Sequence, residues 1–440
     1  MHARELVYET ALRGAVPLLR VVSPFHAKLA RGVAGRRSAV TVFSSWASSS
    51  RDLARPLVWV HAPSVGEGLM AQAIIGALRE SAPEVQVAFT HFSPSAERLA
   101  SRVGADVAGY LPWDVTGEVR RVLGALQPTA IAFVRTEIWP VLVREAKGRG
   151  VALALVNAVL SEGSSRLGAG SRYLLGPGYA RLDAVGAVAE PDARRFSLLG
   201  VAPERVRVTG DARFDQVWAR VRALGDEEER MRNPLLRRLR DETVVTVVAG
   251  STWPADEERL VPAFARARRE EALRLVVAPH EPDATHLTGL ERRLDAAGLT
   301  HARLAEVEAG TGPLPEVVVV DRVGVLADLY AIGELAYVGG GFHSAGLHSV
   351  VEPAALGVPV LFGPRHGNAR EANELAWAGG GSIIRDAREL SEALVSLARN
   401  VDARSEAGAL ARRFVHSRLG GATANAALVL ELLEGRTPSA

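Results

Sequence analysis

Apolar positions along this chain follow two rhythms in alternation. Short β-branched runs at Leu57–His61, Val85–Thr90, Thr129–Val134, Val151–Asn157, Leu182–Ala187 and Val206–Thr209 read as buried strands, with helical periodicity between them. Alternation of this kind predicts parallel strands joined by crossover helices, hence a doubly wound α/β domain over roughly residues 50–215. A charged helical stretch from about Val217 to Arg240 follows. The strand rhythm then restarts at Val244–Ala249, Leu273–Ala278, Val317–Val320, Leu335–Val338, Val358–Phe362 and Ser382–Ile384. The final stretch, Asp402–Glu434, reads as helix interrupted at Gly420 and Gly421.

Two such stretches in 440 residues fit two domains, each large enough for its own core. The expected division is an N-terminal amphipathic segment at 1–48, a first Rossmann-like domain at 49–220, a second at 241–420, and a C-terminal helix and tail at 421–440. Ligands of doubly wound sheets bind outside the carboxyl ends of the strands, so the cleft between the domains is the expected site.

Charge changes the picture only at the start of the chain. The total is +2, and all basic residues except Lys28 and Lys147 are Arg, so the basic isoelectric point is no argument for nucleic acid binding. Over residues 1–40, however, Arg4, Arg13, Arg20, Lys28, Arg31, Arg36 and Arg37 face only Glu5 and Glu9. Leu6, Val7, Ala11, Leu12, Ala15, Leu18, Leu19 and Val22 lie near one face of a helix over residues 4–22. This segment is either an ordinary helix packed on its own domain or an interfacial anchor drawn to anionic lipid. The chain has no uncharged apolar run long enough to span a bilayer, and no cysteine, which excludes disulfides and thiolate chemistry.

Three turns at strand ends could carry chemistry. In His61-Ala62-Pro63-Ser64-Val65-Gly66-Glu67-Gly68, Ser64 and Glu67 have the spacing of a capping box; Glu67 also stands where a general base would meet an acceptor hydroxyl. The second, Ala249-Gly250-Ser251-Thr252-Trp253-Pro254, offers amides for a phosphate. Its bland alternative has Thr252 capping a helix whose dipole Asp256, Glu257 and Glu258 complement. The third runs from Val338 through the glycines 339–341 to Glu352. It predicts a Gly-rich loop opening a helix at about Leu347, with phosphate at the helix tip and a ribose on Glu352. His348 and Glu352 at i, i+4 are alternatively two metal ligands lacking a third. The chain has no P-loop, no Gly-x-Ser-x-Gly elbow and no dinucleotide fingerprint after a strand, which leaves nucleotide-sugar chemistry as the natural use of paired α/β domains.

Short matches in fixed order then give a resemblance. His61 to Glu67, Tyr110-Leu111-Pro112-Trp113-Asp114, Thr136-Glu137-Ile138-Trp139-Pro140, Gly210 to Asp215, Ala249 to Thr252, Ala278-Pro279-His280, and Gly339 through Asn368 and Glu371 together resemble the Kdo transferases. These enzymes, of the two-domain GT-B fold, move Kdo from CMP-Kdo to the lipid A precursor. The resemblance implies two Rossmann-like domains facing across a cleft, Glu67 as base of an inverting transfer, and no metal or resident cofactor. It implies Ser64, Gly66, Glu137 and Arg213 on the acceptor side, with Arg213 standing in for Lys. Ser251, Thr252, His280, Gly346, Ser349, Glu352, Asn368 and Glu371 would surround the nucleotide. The implied location is the cytoplasmic face of the bacterial inner membrane, reached through the basic N-terminal segment. Departures from the family pattern are Ser349 for Asn, Arg135 for an acid, Val159 for Arg and His280 for Arg. An epimerase or another GT-B glycosyltransferase is the alternative on the same fold.

Overall fold

A computed structural model of the chain describes residues 3–310 and 312–434. The chain divides into two compact units, one of residues 1–216 with 418–440 and one of residues 217–417. The first is built on seven parallel strands: β1 (Leu57–His61), β2 (Gln86–His91), β3 (Val107–Tyr110), β4 (Ala130–Val134), β5 (Ala152–Ala158), β6 (Ala184–Ala187) and β7 (Val206–Val208). Their order is β3-β2-β1-β4-β5-β6-β7, which reverses direction beside β1. Strands β1, β2, β4, β5 and β6 are buried along their whole length, the reason for their continuous apolar runs.

The second unit repeats the plan with β8 (Val245–Thr252), β9 (Leu273–Pro279), β10 (His301–Arg303), β11 (Val317–Val319), β12 (Leu335–Val338), β13 (Val360–Phe362) and β14 (Gly381–Ile383), ordered β10-β11-β9-β8-β12-β13-β14. Both sheets hold one strand more than the hydrophobic pattern predicts. The additions, β3 and β10, are short edge strands. β3 has only its two ends buried and β10 is half-buried throughout, so neither carries a β-branched run.

The chain termini belong to the first unit. Helix α1 (Ala3–Val22) and helix α2 (Ala27–Ser50) pack on it, α2 lying against β3 so closely that a Cβ on Gly35 would meet the Tyr110 ring at 2.2 Å. The C-terminal helix, Gly421–Glu434, packs on the helix Val65–Ser81 and on β5. Buried Asn425 fixes it there, its Oδ1 accepting from Asn157 N (2.8 Å) and Thr209 Oγ1 (3.1 Å). The unit boundaries thus fall at 216/217 and 417/418, and the expected C-terminal helix spans Gly421–Glu434 as part of the first unit; the expected tail, 435–440, lies outside the described residues.

Candidate functional site

In the first unit the carboxyl ends of β1, β2 and β4 carry a connected polar cluster. Helix α3 (Val65–Ser81) leaves β1 with Ser64 as its N-cap and Glu67 in the first turn. The expected capping box does not form. Ser64 Oγ donates to the Glu67 carboxylate instead of accepting from the Glu67 amide, which leaves the helix without a side-chain cap and holds the half-buried Glu67 carboxylate at the N-cap. Gly66 is exposed, and a Cβ there would meet nothing nearer than Ser64 Oγ at 3.9 Å, so open space rather than strain surrounds it.

Glu137, after β4, shares this region. Burial holds its carboxyl above the ordinary carboxylate range, Arg166 opposes that, and the negative charge of Glu67 adds to it. The two carboxylates therefore sense one another. Beneath them, Trp139 Nε1 donates to His61 Nε2 (3.0 Å), while His61 Nδ1 faces Thr90 O (3.1 Å), assigning the Nδ1–H tautomer. Burial pushes the His61 pKa down to about 3, so the imidazole is neutral and able to accept. Phe92 stacks on Trp139 with ring centroids 5.2 Å apart, and the buried Arg36 guanidinium covers Phe92 at 3.7 Å.

Arg213 lies against a different group. It bonds Asp211 through its Nη2 (3.1 Å), and Asp211 in turn accepts from Asn157 Nδ2 (3.2 Å). Burial raises the Asp211 pKa, but Arg213 and Arg135 outweigh it and hold this carboxyl below its ordinary value. Arg135 and Asn157 both take positive φ (74° and 50°) at the ends of β4 and β5, a conformation that costs a non-glycine residue about 1 kcal/mol or more.

The second unit gathers its candidates around Trp253. Pro254 takes the first position of the helix Pro254–Ala267, as its lack of an N–H favours, and Trp253 is the N-cap. Thr252 is not the cap: its Oγ1 donates to Glu257 Oε1 (2.9 Å), and Glu257 also meets His286 Nε2 at 2.8 Å. Nor does Asp256 merely complement the helix dipole. Fully buried, it accepts from Trp253 N (2.9 Å), Gly340 N (2.8 Å), Tyr337 OH (3.1 Å) and Phe342 N (3.3 Å). An internal carboxylate thus occupies two amides of the Gly-rich loop, those of Gly340 and Phe342.

The loop itself departs from expectation. The helix begins at Val351, not near Leu347, and ends at Ala355. Pro353 explains the delay, because its ring would strike the Ser349 carbonyl if the helix ran through 349. Glu352 therefore stands in the first turn. Burial raises its pKa, opposed by Arg220, whose Nη1 is 3.9 Å from Glu352 Oε1. His348 remains in the loop and accepts from Trp253 Nε1 (3.1 Å), so it does not share a helical face with Glu352 as a ligand pair. Burial and the neighbouring His280 push the His348 pKa down to about 4. The Trp253 indole stacks on His343 (4.2 Å, 6°) and meets His280 at 4.8 Å, with His280 4.3 Å from His348.

Among the remaining candidates, Ser251 takes φ 53° at the end of β8. Ser349 Oγ accepts from Val351 N at 3.4 Å. Asn368 holds Leu347 at both its N (3.0 Å) and its O (2.9 Å), which makes it a support beneath Gly346 rather than an open amide. Gly346 has φ +86° and a Cβ there would lie 2.4 Å from Asn368 Oδ1, so only glycine fits. Glu371 is buried in the first turn of the helix Arg370–Trp377. Arg166 was not marked by sequence reasoning, and His61, Trp253 and Asp256 were named there without the bonds they make. Each acts through partners remote in the chain, and the second Trp-Pro pair was the one available signal.

Two doubly wound parallel sheets with polar clusters at their strand ends define a GT-B protein, the architecture of nucleotide-sugar transferases and epimerases. In keeping with this, UDP-GlcNAc 2-epimerase from Neisseria meningitidis, bound to UDP-GlcNAc, superposes with a TM-score of 0.60 at 12% identity, over 86% of this chain and 100% of that one. Sequence narrows the class. The family model described as 3-deoxy-D-manno-octulosonic-acid transferase (kdotransferase) matches residues 36–216. The 3-deoxy-D-manno-octulosonic acid transferase of Bordetella pertussis is 30% identical over 86% of this chain and 87% of its own length; that of Haemophilus influenzae is 26% identical over 70% of each. The chain belongs to the 3-deoxy-D-manno-octulosonic acid (Kdo) transferase family and is a glycosyltransferase.

Proposed function

We propose that the protein transfers Kdo from CMP-Kdo to the lipid A precursor (lipid IVA) in lipopolysaccharide biosynthesis, with inversion at the anomeric carbon. Glu67 takes the proton from the acceptor hydroxyl as that oxygen attacks, and CMP departs without a covalent intermediate. Glu137 and Arg213 serve the acceptor side or the Kdo carboxylate. His280, Ser251, Ser349 and Glu352 serve the nucleotide, while Thr252, Gly346, Asn368 and Glu371 shape the loops that hold them. The observation that carries this reading is the setting of Glu67: a half-buried carboxylate in the first turn after β1, steered by Ser64 and beside a second carboxylate, in a chain of this family. Purified protein is incubated with CMP-Kdo and a tetraacylated, phosphorylated glucosamine disaccharide, and the product is weighed by mass spectrometry. Replacing Glu67 with Gln lowers kcat by about 10²–10⁴ with nucleotide affinity little changed. A near wild-type rate removes Glu67 as base, and turnover of a UDP-sugar with the acceptor mass unchanged hands the case to the epimerase or other GT-B glycosyltransferase that the same fold can carry.

The same reading puts the protein at the cytoplasmic face of the inner membrane, held peripherally. No helix among the described residues is long and apolar enough to cross a membrane. Support comes from α1, which turns Tyr8, Glu9, Leu12, Val16 and Leu19 inward and leaves Leu6, Val7, Leu18, Val21 and Val22 exposed, with Phe25 in the turn just after it exposed to 81%. Val7, Leu18, Val21 and Val22 follow one helical stripe, with Arg4 beside it.

A further inference from the structure

The strand order of the second unit reverses at β8, which is first in sequence and lies between β9 and β12. Ligands of doubly wound sheets bind outside the carboxyl ends of the strands at such a reversal. Two aromatic side chains meet there: Trp253, just after β8, and His343, in the loop after β12, are stacked with ring centroids 4.2 Å apart and planes 6° apart. His343 is held by two hydrogen bonds as well. Its Nδ1 accepts from Ala345 N (3.1 Å), and its own backbone amide donates to Gly340 O (3.0 Å). A half-buried loop histidine is ordinarily free to change rotamer, whereas this one is preorganised at its ring face, its ring nitrogen and its backbone. The bond from Ala345 also fixes the proton. A backbone amide only donates, so Nδ1 carries no hydrogen and the ring's one N–H is at Nε2. That nitrogen has no partner among the described residues and is not closed off from solvent, so its N–H is free to meet a ligand. The Gly340 and Phe342 amides of the same loop are, by contrast, already taken by Asp256.

We infer that His343 is a phosphate-binding residue, its Nε2–H donating to a phosphate oxygen of the nucleoside monophosphate part of the donor substrate, where the two loop amides held by Asp256 do not. A hydrogen bond from a neutral donor to a charged oxygen is worth about tenfold in affinity or more. The inference deepens the nucleotide role proposed for this unit and rests on it.

The test compares two full-length variants with wild type at about pH 8, above the ordinary range of imidazole protonation. His343→Phe keeps the stack on Trp253 and loses both ring nitrogens. His343→Asn loses the stack, but its carbonyl can accept from Ala345 N two residues on, the bond asparagine commonly makes in turns. Both lack the Nε2–H. Calorimetry measures the binding of CMP, and ligand-observed NMR that of cytidine, which lacks only the phosphate. Expected in both variants are a Kd for CMP about tenfold above wild type and an unchanged Kd for cytidine. A loss in one variant alone traces to the stack or to the Ala345 bond and overturns the inference. An equal loss for cytidine traces to the shape of the loop and overturns it as well. Wild-type CMP affinity in both variants does the same, including where the KM for CMP-Kdo rises, since His343 would then serve the carboxylate of the sugar. A wild-type protein that binds UMP and not CMP removes the cytidine reading instead. With UMP and uridine as the pair, the same selective loss then keeps His343 as a phosphate ligand, and no loss ends both.

Discussion

Asp256 holds the second unit's candidate site together, and its replacement by Asn tests that claim quantitatively. The side chain keeps its shape but exchanges one carboxylate oxygen for an amide. The least costly arrangement leaves the remaining oxygen at Trp253 N and Gly340 N, the shorter pair at 2.9 and 2.8 Å. Those two bonds then lose their charge assistance, at about 1 kcal/mol each. At the other corner the new NH₂ faces Phe342 N–H, which loses its acceptor, while the Tyr337 hydroxyl can rotate to accept. Phe342 is half-buried, so the orphaned amide costs about 1 kcal/mol, the low end for such a group. The sum is about 3 kcal/mol, or about 6–12 °C in the melting of a unit of this size. Tyr337→Phe removes one hydroxyl and costs about 1 kcal/mol. Calorimetry on the full chain, following the transition of residues 217–417, reads both. A loss in Asp256→Asn no larger than in Tyr337→Phe refutes the bridging role, and a loss without weakened CMP binding refutes its bearing on the site.

Two further expectations concern single groups. His61 stays neutral in the folded state down to about pH 3, whereas an unfolded histidine takes a proton near pH 6.5. Stability from this group is therefore complete above pH 6.5 and is lost as pH falls toward 3. Between pH 7 and pH 5 this loss opposes the gain from buried Asp114, whose carboxyl is pushed up to about 6, so the difference between wild type and His61→Gln is what reads His61. The urea midpoint of the first unit should fall more, or rise less, in wild type than in His61→Gln, and equal slopes would count against the assignment. Gly346→Ala forces a Cβ onto a positive φ and against Asn368, destabilising the second unit by about 2–3 kcal/mol through strain and the displaced Leu347 bonds. In the Asn368→Ala background the added cost should shrink toward the strain alone, as paired melting curves would show.

The strands central to each sheet were legible because burial on both faces leaves an unbroken apolar run, as at β1 and β9. The edge strands β3 and β10 were not, since partly buried positions admit any residue. Turn chemistry was legible in position but not in direction: Ser64 and Glu67 stand at the N-cap and in the first turn, yet the hydroxyl donates where a capping serine accepts. The late start of the helix at Val351 is consistent with Pro353, whose ring disfavours helical backbone at Ser349. What no local pattern reveals is a bond such as Gly340 N to Asp256, 84 residues apart, or Trp139 to His61, 78 apart.

One signal nonetheless occurs twice. Trp139-Pro140 and Trp253-Pro254 both sit where a strand gives way to a helix, with Trp as N-cap and Pro first in the helix. Proline keeps the preceding residue extended, and each Trp is extended, with its indole N–H reaching a histidine Nε2 from another strand: His61 at the end of β1 in the first unit, His348 in the loop after β12 in the second. An indole can only donate, so the imidazole must be neutral at that nitrogen, and in both units burial depresses the histidine's pKa enough to keep it so. A buried aspartate completes each arrangement, Asp114 on the amides of Val141 and Leu142, Asp256 on the amide of Trp253. The partners come from non-corresponding places in the two sequences, Asp114 from outside its helix and Asp256 from the first turn of its own. The common feature is thus a physical solution rather than a copied motif: a carboxylate takes backbone amides at the start of a proline-started helix, and a neutral imidazole takes the indole N–H of the Trp before it.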